Sequence, residues 1–358
     1  MLPWNGTSCW DDSRETKGFR APETREFPRA CNPNIDVLRG IEQTNSAAHA
    51  KKKQYRGENF IDEHIARTIG EICALKIQGA QQVAKAAVIA AAAYLKHHPS
   101  TNEREFLDVL TALEAARPTE PALRNALSSF ILNGGREQPV RAAAAVTAYF
   151  SQAEHAIASQ LLPLLHEHKQ YFTHCHSGTV VRALIACSKR KEFSVANTET
   201  RPLFQGRRTA LELARARIPV LHAIDSSARL LIKGCAAVLL GCDAILADGS
   251  VVNKIGSEMF AEIAAHLGKP VYVLTSAFKF SGLAVRDHAQ RIEERSPNEV
   301  WPGFPREPYL TILNYAFERI APEHVTAIIS ELGVLAPHAF VQAVEKAYPW
   351  MLERRKDG

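Results

Sequence analysis

Four stretches of this 358-residue chain place reactive side chains directly after apolar runs. Thr173-His174-Cys175-His176-Ser177 sets a thiol between two imidazoles. Asn197 to Gly206 carries Arg201, a guanidinium able to grip a carboxylate or phosphate, and Gln205, an amide able to bond hydroxyls. Asp225-Ser226-Ser227 has the chemistry of a helix N-cap. Gly241-Cys242-Asp243, followed ten residues on by Asn253-Lys254-Ile255-Gly256, offers an acid, an amide and a cation. Cys175 stands where a strand gives way to a helix starting near Ser177, and helix N-termini favour anions. A lowered thiol pKa is therefore expected, against the alternative of a half-buried thiol with no role. Asp243 is either a member of the same site or the cap of a surface turn. Lys254, read as standing at a helix start, would hold an anion beside free backbone N–H groups. The His-Cys-His triplet is not expected to bind metal, because neighbours along a strand point to opposite faces.

Elements must bring these stretches together. Asp62 to His98 has helical spacing, with a break at Ile77-Gln78-Gly79-Ala80. Phe106–Ala116, Pro121–Asn133 and Val140–Lys169 read as three more helices. From Tyr171 the period changes. Strands are predicted over Tyr171–His174, Phe193–Ala196, Pro219–Ile224, Ala236–Leu240, Val271–Leu274 and Val325–Ile329. Helices are predicted over Val180–Cys187, Thr209–Arg217, Ala228–Lys233 and Met259–Leu267, and a closing helix over Ala339–Glu353; 304–321 reads as an irregular insert. Such alternation means βαβ units, so the expected class is α/β: a helical N-terminal domain, 41–169, then a Rossmann-like domain, 170–358, with a mostly parallel sheet flanked by helices. In such sheets ligands gather at the carboxyl ends of the strands, where the four polar stretches fall. Residues 1–40, rich in Pro, Arg, Asp and Asn, read as a poorly ordered tail.

Bulk composition narrows the class. Hydrophobic residues make up 46% and charged residues 23%, as in ordinary globular chains. The net charge of +5 comes from scattered residues, apart from Lys51–Lys53 and Arg354–Lys356, and neither run is interleaved with aromatics, so nucleic acid is not an expected partner. The longest apolar run, Ala86–Leu95, is too short for a membrane span. Seven cysteines at irregular spacing, with no CxxC, fit a reducing, cytoplasmic setting, and Cys73, Cys187 and Cys235 fall in apolar patterns as core residues. No GxGxxG follows a strand, and no Walker loop or GxSxG elbow occurs, which disfavours dinucleotide binding and serine hydrolysis; no cofactor is expected.

Over residues 60 to 350 the chain resembles one family. It holds archaeal ribose-1,5-bisphosphate isomerase, methylthioribose-1-phosphate isomerase and the regulatory alpha, beta and delta subunits of the translation initiation exchange factor 2B. The resemblance is carried by 173–177, 198–206, 241–243 and 253–256, with the Arg117-Pro118-Thr119 turn and 317–337 also similar. The bisphosphate isomerase branch is the nearest. The resemblance implies that Cys175 and Asp243 are the catalytic pair, and that Ser177, Gln205, Asn253, Lys254 and Lys279 contact substrate. Gln78, Gly79, Arg117, Gly178 and Arg201 complete the expected binding set. It also implies a homo-oligomer, dimer or hexamer, a sugar phosphate ligand and AMP as a nucleotide activator.

The implied activity is an aldose–ketose isomerisation. An aldose 1-phosphate cannot open to a free aldehyde, so the ring oxygen must gain a proton while C2 loses one. Asp243 as acid and Cys175 thiolate as base fit this, and the reverse assignment is open. Two positions depart from the bisphosphate branch: Gln78 stands where the family has Arg, and Gly178 where that branch has Lys. The second departure resembles the methylthioribose branch. The regulatory subunits generally lack the Cys and Asp pair, which favours an enzyme here.

Overall fold

The computed structural model describes residues 62–282 and 294–352. The expected N-terminal tail and both basic runs lie outside them. Five helices come first: α1 (Glu63–Cys73), α2 (Ala80–His97), α3 (Glu103–Ala115), α4 (Pro121–Leu132) and α5 (Pro139–Leu161). The break before α2 carries two positive-φ residues, Leu75 and Gly79. Helix α3 starts before the expected Phe106, because Asn102 and Glu105 form a reciprocal capping box at 2.9 and 3.1 Å. Helix α5 stops well short of Lys169, tightening into a 3₁₀ turn at Leu162–Leu164 that holds Pro163. Cys73 is exposed on α1 rather than packed in a core, whereas Cys187 and Cys235 are buried.

The α/β region follows as β1 (Gln170–Thr173), α6 (Gly178–Ser188), β2 (Ser194–Thr198), α7 (Gln205–Arg215), β3 (Val220–Ala223), α8 (Ala228–Gly234) and β4 (Ala237–Leu240). Then come β5 (Ala244–Ile245), β6 (Val251–Lys254), α9 (Ser257–His266), β7 (Val271–Leu274), a one-turn α10 (Pro297–Val300), β8 (Phe317–Ile320), β9 (Ala327–Ser330), β10 (Gly333–Leu335) and α11 (Pro337–Ala347). The main sheet has the order β10-β9-β7-β4-β1-β2-β3, parallel throughout except where β10 pairs with β9. Counting outward from β1, the chain adds strands first on one side and then, from β4, on the other. Neighbouring crossovers therefore leave the sheet on opposite faces at β1 and β4, and a crevice opens at their carboxyl ends.

A second sheet, β5-β6-β8, was not legible in the sequence. It is antiparallel, pairing Val251 with Ile320 and Lys254 with Phe317. Residues 317–320, expected as irregular, are its edge. Asn253 and Lys254 thus close a strand; helix α9 starts at Ser257, so Lys254 is not a helix-start residue. One buried apolar cluster runs from Val83, Leu110, Phe130 and Phe150 of the helices to Phe172, Val238, Ile245 and Phe278 of the sheets. The helices are therefore braced against the same core that carries the strand ends.

Candidate active site

Cys175 and Asp243 leave β1 and β4, the two strands that flank the crevice, and both line one cleft of about 220 Å³. The cleft also takes Gln78, Gly79, Arg117, Ser177, Gly178, Gln205, Asn253, Lys254 and Lys279. Of the expected site residues only Arg201 is absent. Its guanidinium donates to the Val300 carbonyl at 2.7 Å and lies over the Phe204 ring. Asp225 does not act as a helix cap in the way expected. Its carboxylate accepts from the backbone N–H groups of Thr200 and Arg201 at 2.9 and 2.7 Å, folding the 199–205 loop beneath Cys175.

The turn after β1 is held from several sides. Cys175 has φ 61°, the left-handed region that a side chain rarely adopts. Its N–H donates to Thr200 Oγ1 at 3.0 Å, and its carbonyl accepts from Thr209 Oγ1 at 2.7 Å. Strain of this kind persists only where the surroundings over-determine it. The Thr209 hydroxyl has one proton, already donated to Cys175, so it accepts from Nδ1–H of His176 at 3.0 Å. The adjacent His174 is buried. Its Nε2 donates to the Ile255 carbonyl at 2.9 Å and its Nδ1 faces the Thr198 hydroxyl at 3.0 Å. That ring ties β1 and β2 to the turn after β6 and borders the cleft. Burial drives its pKa down to about 4, so it stays neutral. Gly241 allows the close approach at the end of β4: a Cβ there would meet Ser177 Oγ at 2.3 Å.

The thiol itself departs from expectation. Burial pushes Cys175 up to about 11, and the opposing pull of Lys254 does not overcome it, while the carboxylates of Asp243 and Asp225 reinforce the rise. The helix N-terminus is outweighed by desolvation, and the thiol is neutral at pH 7.

The β4 side holds buried charge. Lys254 is 7% exposed, with its Nζ 4.8 Å from the centre of the Phe317 ring. Asn253 donates to Ser257 Oγ at 2.8 Å, which donates in turn to the Lys254 carbonyl at 2.6 Å. Lys279 is 8% exposed and donates to the Cys242 carbonyl. It sits on a 3₁₀ turn, Ala277–Lys279, braced by Asn125 of α4 against the Phe278 and Phe280 carbonyls at 2.8 and 2.9 Å. Asp243 does not cap a helix; its N–H donates to Val252 at 2.8 Å at the mouth of the β5–β6 hairpin.

Several residues on this cleft were not singled out from the sequence. Arg182, Arg208 and Arg295 line it, as does Gln81. Arg182 lies one helical turn after Gly178, and Arg208 nearly one turn after Gln205, a spacing that was available to be read. Glu120, next to the Arg117–Thr119 turn, is 6% exposed and its Oε1 has no hydrogen-bond partner. Burial, then the Asp243 charge, push it up to about 8 against the pull of Lys279 and Arg117, so it is protonated at neutral pH. Glu120 lines the neighbouring hollow beside Arg117 rather than this cleft; on the cleft itself two buried polar atoms lack partners, Gln81 Nε2 and Gln205 Oε1. Unsatisfied groups of opposite sense in one cleft suit a ligand carrying both acceptors and hydroxyls. Among the described residues no cluster of His, Cys, Asp and Glu is arranged to hold a metal ion, and no helix is long and apolar enough to cross a membrane.

The chain is similar to known proteins in sequence and fold. Residues 70–337 match the model of the initiation factor 2 subunit family. A ribose 1,5-bisphosphate isomerase of Pyrococcus furiosus is 35% identical over 51% of this chain, and the match spans 58% of that relative's length. One from Haloterrigena turkmenica is 31% identical over 80% of this chain and 97% of its own. A methylthioribose-1-phosphate isomerase of Symbiobacterium thermophilum is 32% identical over 65% of this chain and 72% of its own. The solved structure of the translation initiation factor eIF-2B of Pyrococcus horikoshii superposes with a TM-score of 0.70 at 25% identity, covering 78% of this chain and all of that one. By sequence and by fold, the chain belongs to the initiation factor 2 subunit family.

Proposed function

We propose that this protein is an aldose–ketose isomerase converting ribose 1,5-bisphosphate to ribulose 1,5-bisphosphate. The observation that carries the reading is the convergence of Cys175 and Asp243, with the buried cations Lys254 and Lys279, on one cleft at the strand switch. A purely regulatory subunit has no need of a neutral thiol and a carboxyl group on one cleft with buried lysines. Relatives bearing the isomerase name support the same choice.

The chemistry needs one proton donor and one acceptor. Cys175, neutral at rest, gives its proton to the ring oxygen as the C1–O bond breaks. Asp243 takes the proton from C2, whose electron pair forms the C1=C2 bond of an enol phosphate. Asp243 then returns its proton to C1 while the Cys175 thiolate takes the proton of the C2 hydroxyl, leaving the ketone. Two protons leave the sugar and two return, and both groups end as they began. Lys254 and Lys279 offset the charge that develops between them. Gln205 and Asn253 hold hydroxyls, Ser177 and the first N–H groups of α6 face one phosphate, and Arg117 borders the other side. Of the two orders that the sequence leaves open, the thiolate-base one is set aside because burial opposes the thiolate.

The same reading places the protein in the cytoplasm as a homo-oligomer, dimer or hexamer, with AMP as activator and a helical N-terminal domain whose described part, residues 62–169, lends Gln78, Gly79 and Arg117 to the cleft. A second substrate is favoured by one observation: Gly178 carries no side chain, as in the methylthioribose branch. Proton NMR of purified protein with ribose 1,5-bisphosphate, with and without AMP, and in parallel with methylthioribose 1-phosphate, separates them. Conversion of the bisphosphate, abolished in Cys175→Ser while ligand affinity is kept, is the expected result. Conversion of the thiosugar alone would move the protein to that substrate, and turnover of neither would remove the isomerase reading.

A further inference from the structure

Helix α6 carries an unusual gap and an unusual filling. Gly178 opens the helix with no side chain, and a Cβ built there would lie 2.6 Å from one terminal nitrogen of Arg182 and 3.2 Å from both its other terminal nitrogen and its central carbon. The space that a residue at 178 would enter is therefore already taken by a cation from one turn further along. Its place is held by two partners: Arg182 donates to Gln81 Oε1 at 2.6 Å and pairs with Glu154 at 2.7 Å. Because Gln81 spends its oxygen on Arg182, its amide nitrogen is left buried and without an acceptor. Arg182 and Gln81 both line the cleft. His176 and Arg208 stand on the same side, and His176 is driven down to about 4 by burial first, then by Arg208, against the pull of Glu212, with Arg182 adding to the fall. This wall therefore presents guanidinium N–H, an unsatisfied amide N–H and the opening N–H groups of an eleven-residue helix. That is a donor set for a dianion and offers nothing to an apolar methylthio group.

We infer that Arg182 and Gln81 form the grip for one phosphate on the helical wall, opposite Lys254 and Lys279, and so select a sugar bisphosphate over a monophosphate. The inference rests on the isomerase reading and deepens it. Glu154 serves as the positioning residue. It holds the guanidinium over Gly178 through one terminal nitrogen and leaves the other, beside Gly178, for the ligand.

The test separates this grip from the activity itself. Ribulose 1,5-bisphosphate and methylthioribose 1-phosphate are titrated calorimetrically into the wild-type protein and into Arg182→Ala and Gln81→Leu, alongside steady-state kinetics with ribose 1,5-bisphosphate. Loss of a charge-assisted pair should weaken bisphosphate binding and raise KM by about tenfold or more, with kcat much less affected and thiosugar binding unchanged. The double variant G178K/R182A, in which the guanidinium no longer blocks position 178, should recover most of the bisphosphate affinity. Equal losses for both ligands in a protein with wild-type thermal midpoint would overturn the inference. So would bisphosphate binding that is indifferent to Arg182. Bisphosphate turnover in the wild type with no Arg182 dependence would sink the inference alone. Arg182-dependent binding without turnover would sink the isomerase reading alone. A wild type that neither binds nor turns over the bisphosphate would sink both.

Discussion

The two walls of the cleft hold their cations in opposite ways. On the β4 side, Lys254 and Lys279 are buried, fixed by backbone carbonyl or aromatic contacts and carried by the second sheet and a braced 3₁₀ turn. On the α6–α7 side, the Arg182 and Arg208 side chains are 42% and 61% exposed and already paired with Glu154 and Glu212. A buried ammonium interacts strongly with charge that appears beside it, because little water screens it. An exposed guanidinium is screened and acts chiefly on capture and orientation. On the proposed reading, chemistry therefore belongs to the strand-end wall and recognition to the helical wall.

The largest test of that contrast exchanges one cation on each side. Lys279→Met should lower kcat by about a hundredfold to a thousandfold, the cost of removing one preorganised charge-stabilising donor. Arg208→Ala should change kcat little, and should raise KM by a few fold at low ionic strength and less at high salt. Equal kcat losses from the two would erase the distinction.

A smaller effect concerns the thiol between the walls. With Cys175 pushed up to about 11, alkylation by iodoacetamide should be slow at pH 7 and climb about tenfold per pH unit toward that value. A plateau already reached by pH 7 would restore the thiolate-base order.

The smallest effect concerns Glu120, behind Asp243. Its folded pKa of about 8 lies above the ordinary carboxyl value, so between those two the native state binds the extra proton and stability falls as pH rises. Glu120→Gln keeps the neutral form at every pH. Its thermal midpoint should match wild type near pH 4 and exceed it by a few degrees above pH 8. A constant offset at all pH values would mean that Glu120 is ionised throughout.

Much of this was legible in the chain. The helical half and the βαβ alternation follow from local periodicity, which survives folding because each helix or strand needs one apolar face or a buried run. The polar residues after β1 and β4 were legible for the same reason: a strand end is a local event. Arg201 looked like a grip because a guanidinium is one chemically, but Asp225 turns its loop toward Val300, and only long-range pairing decides that. The β5-β6-β8 sheet escaped because β5 has two residues and β8 lies more than sixty residues from its partner β6 in the chain.

Residue types and their order thus determined by themselves the fold class and the standing of Cys175 and Asp243 just past strand ends, because both depend on neighbours a few positions away. Only the tertiary structure decided the charge state of Cys175, the burial of Lys254, the proton on Glu120 and the seat of Arg182 beside Gly178. Each depends on which distant groups exclude water from the site, and desolvation is a property of the packed molecule rather than of any stretch of its chain.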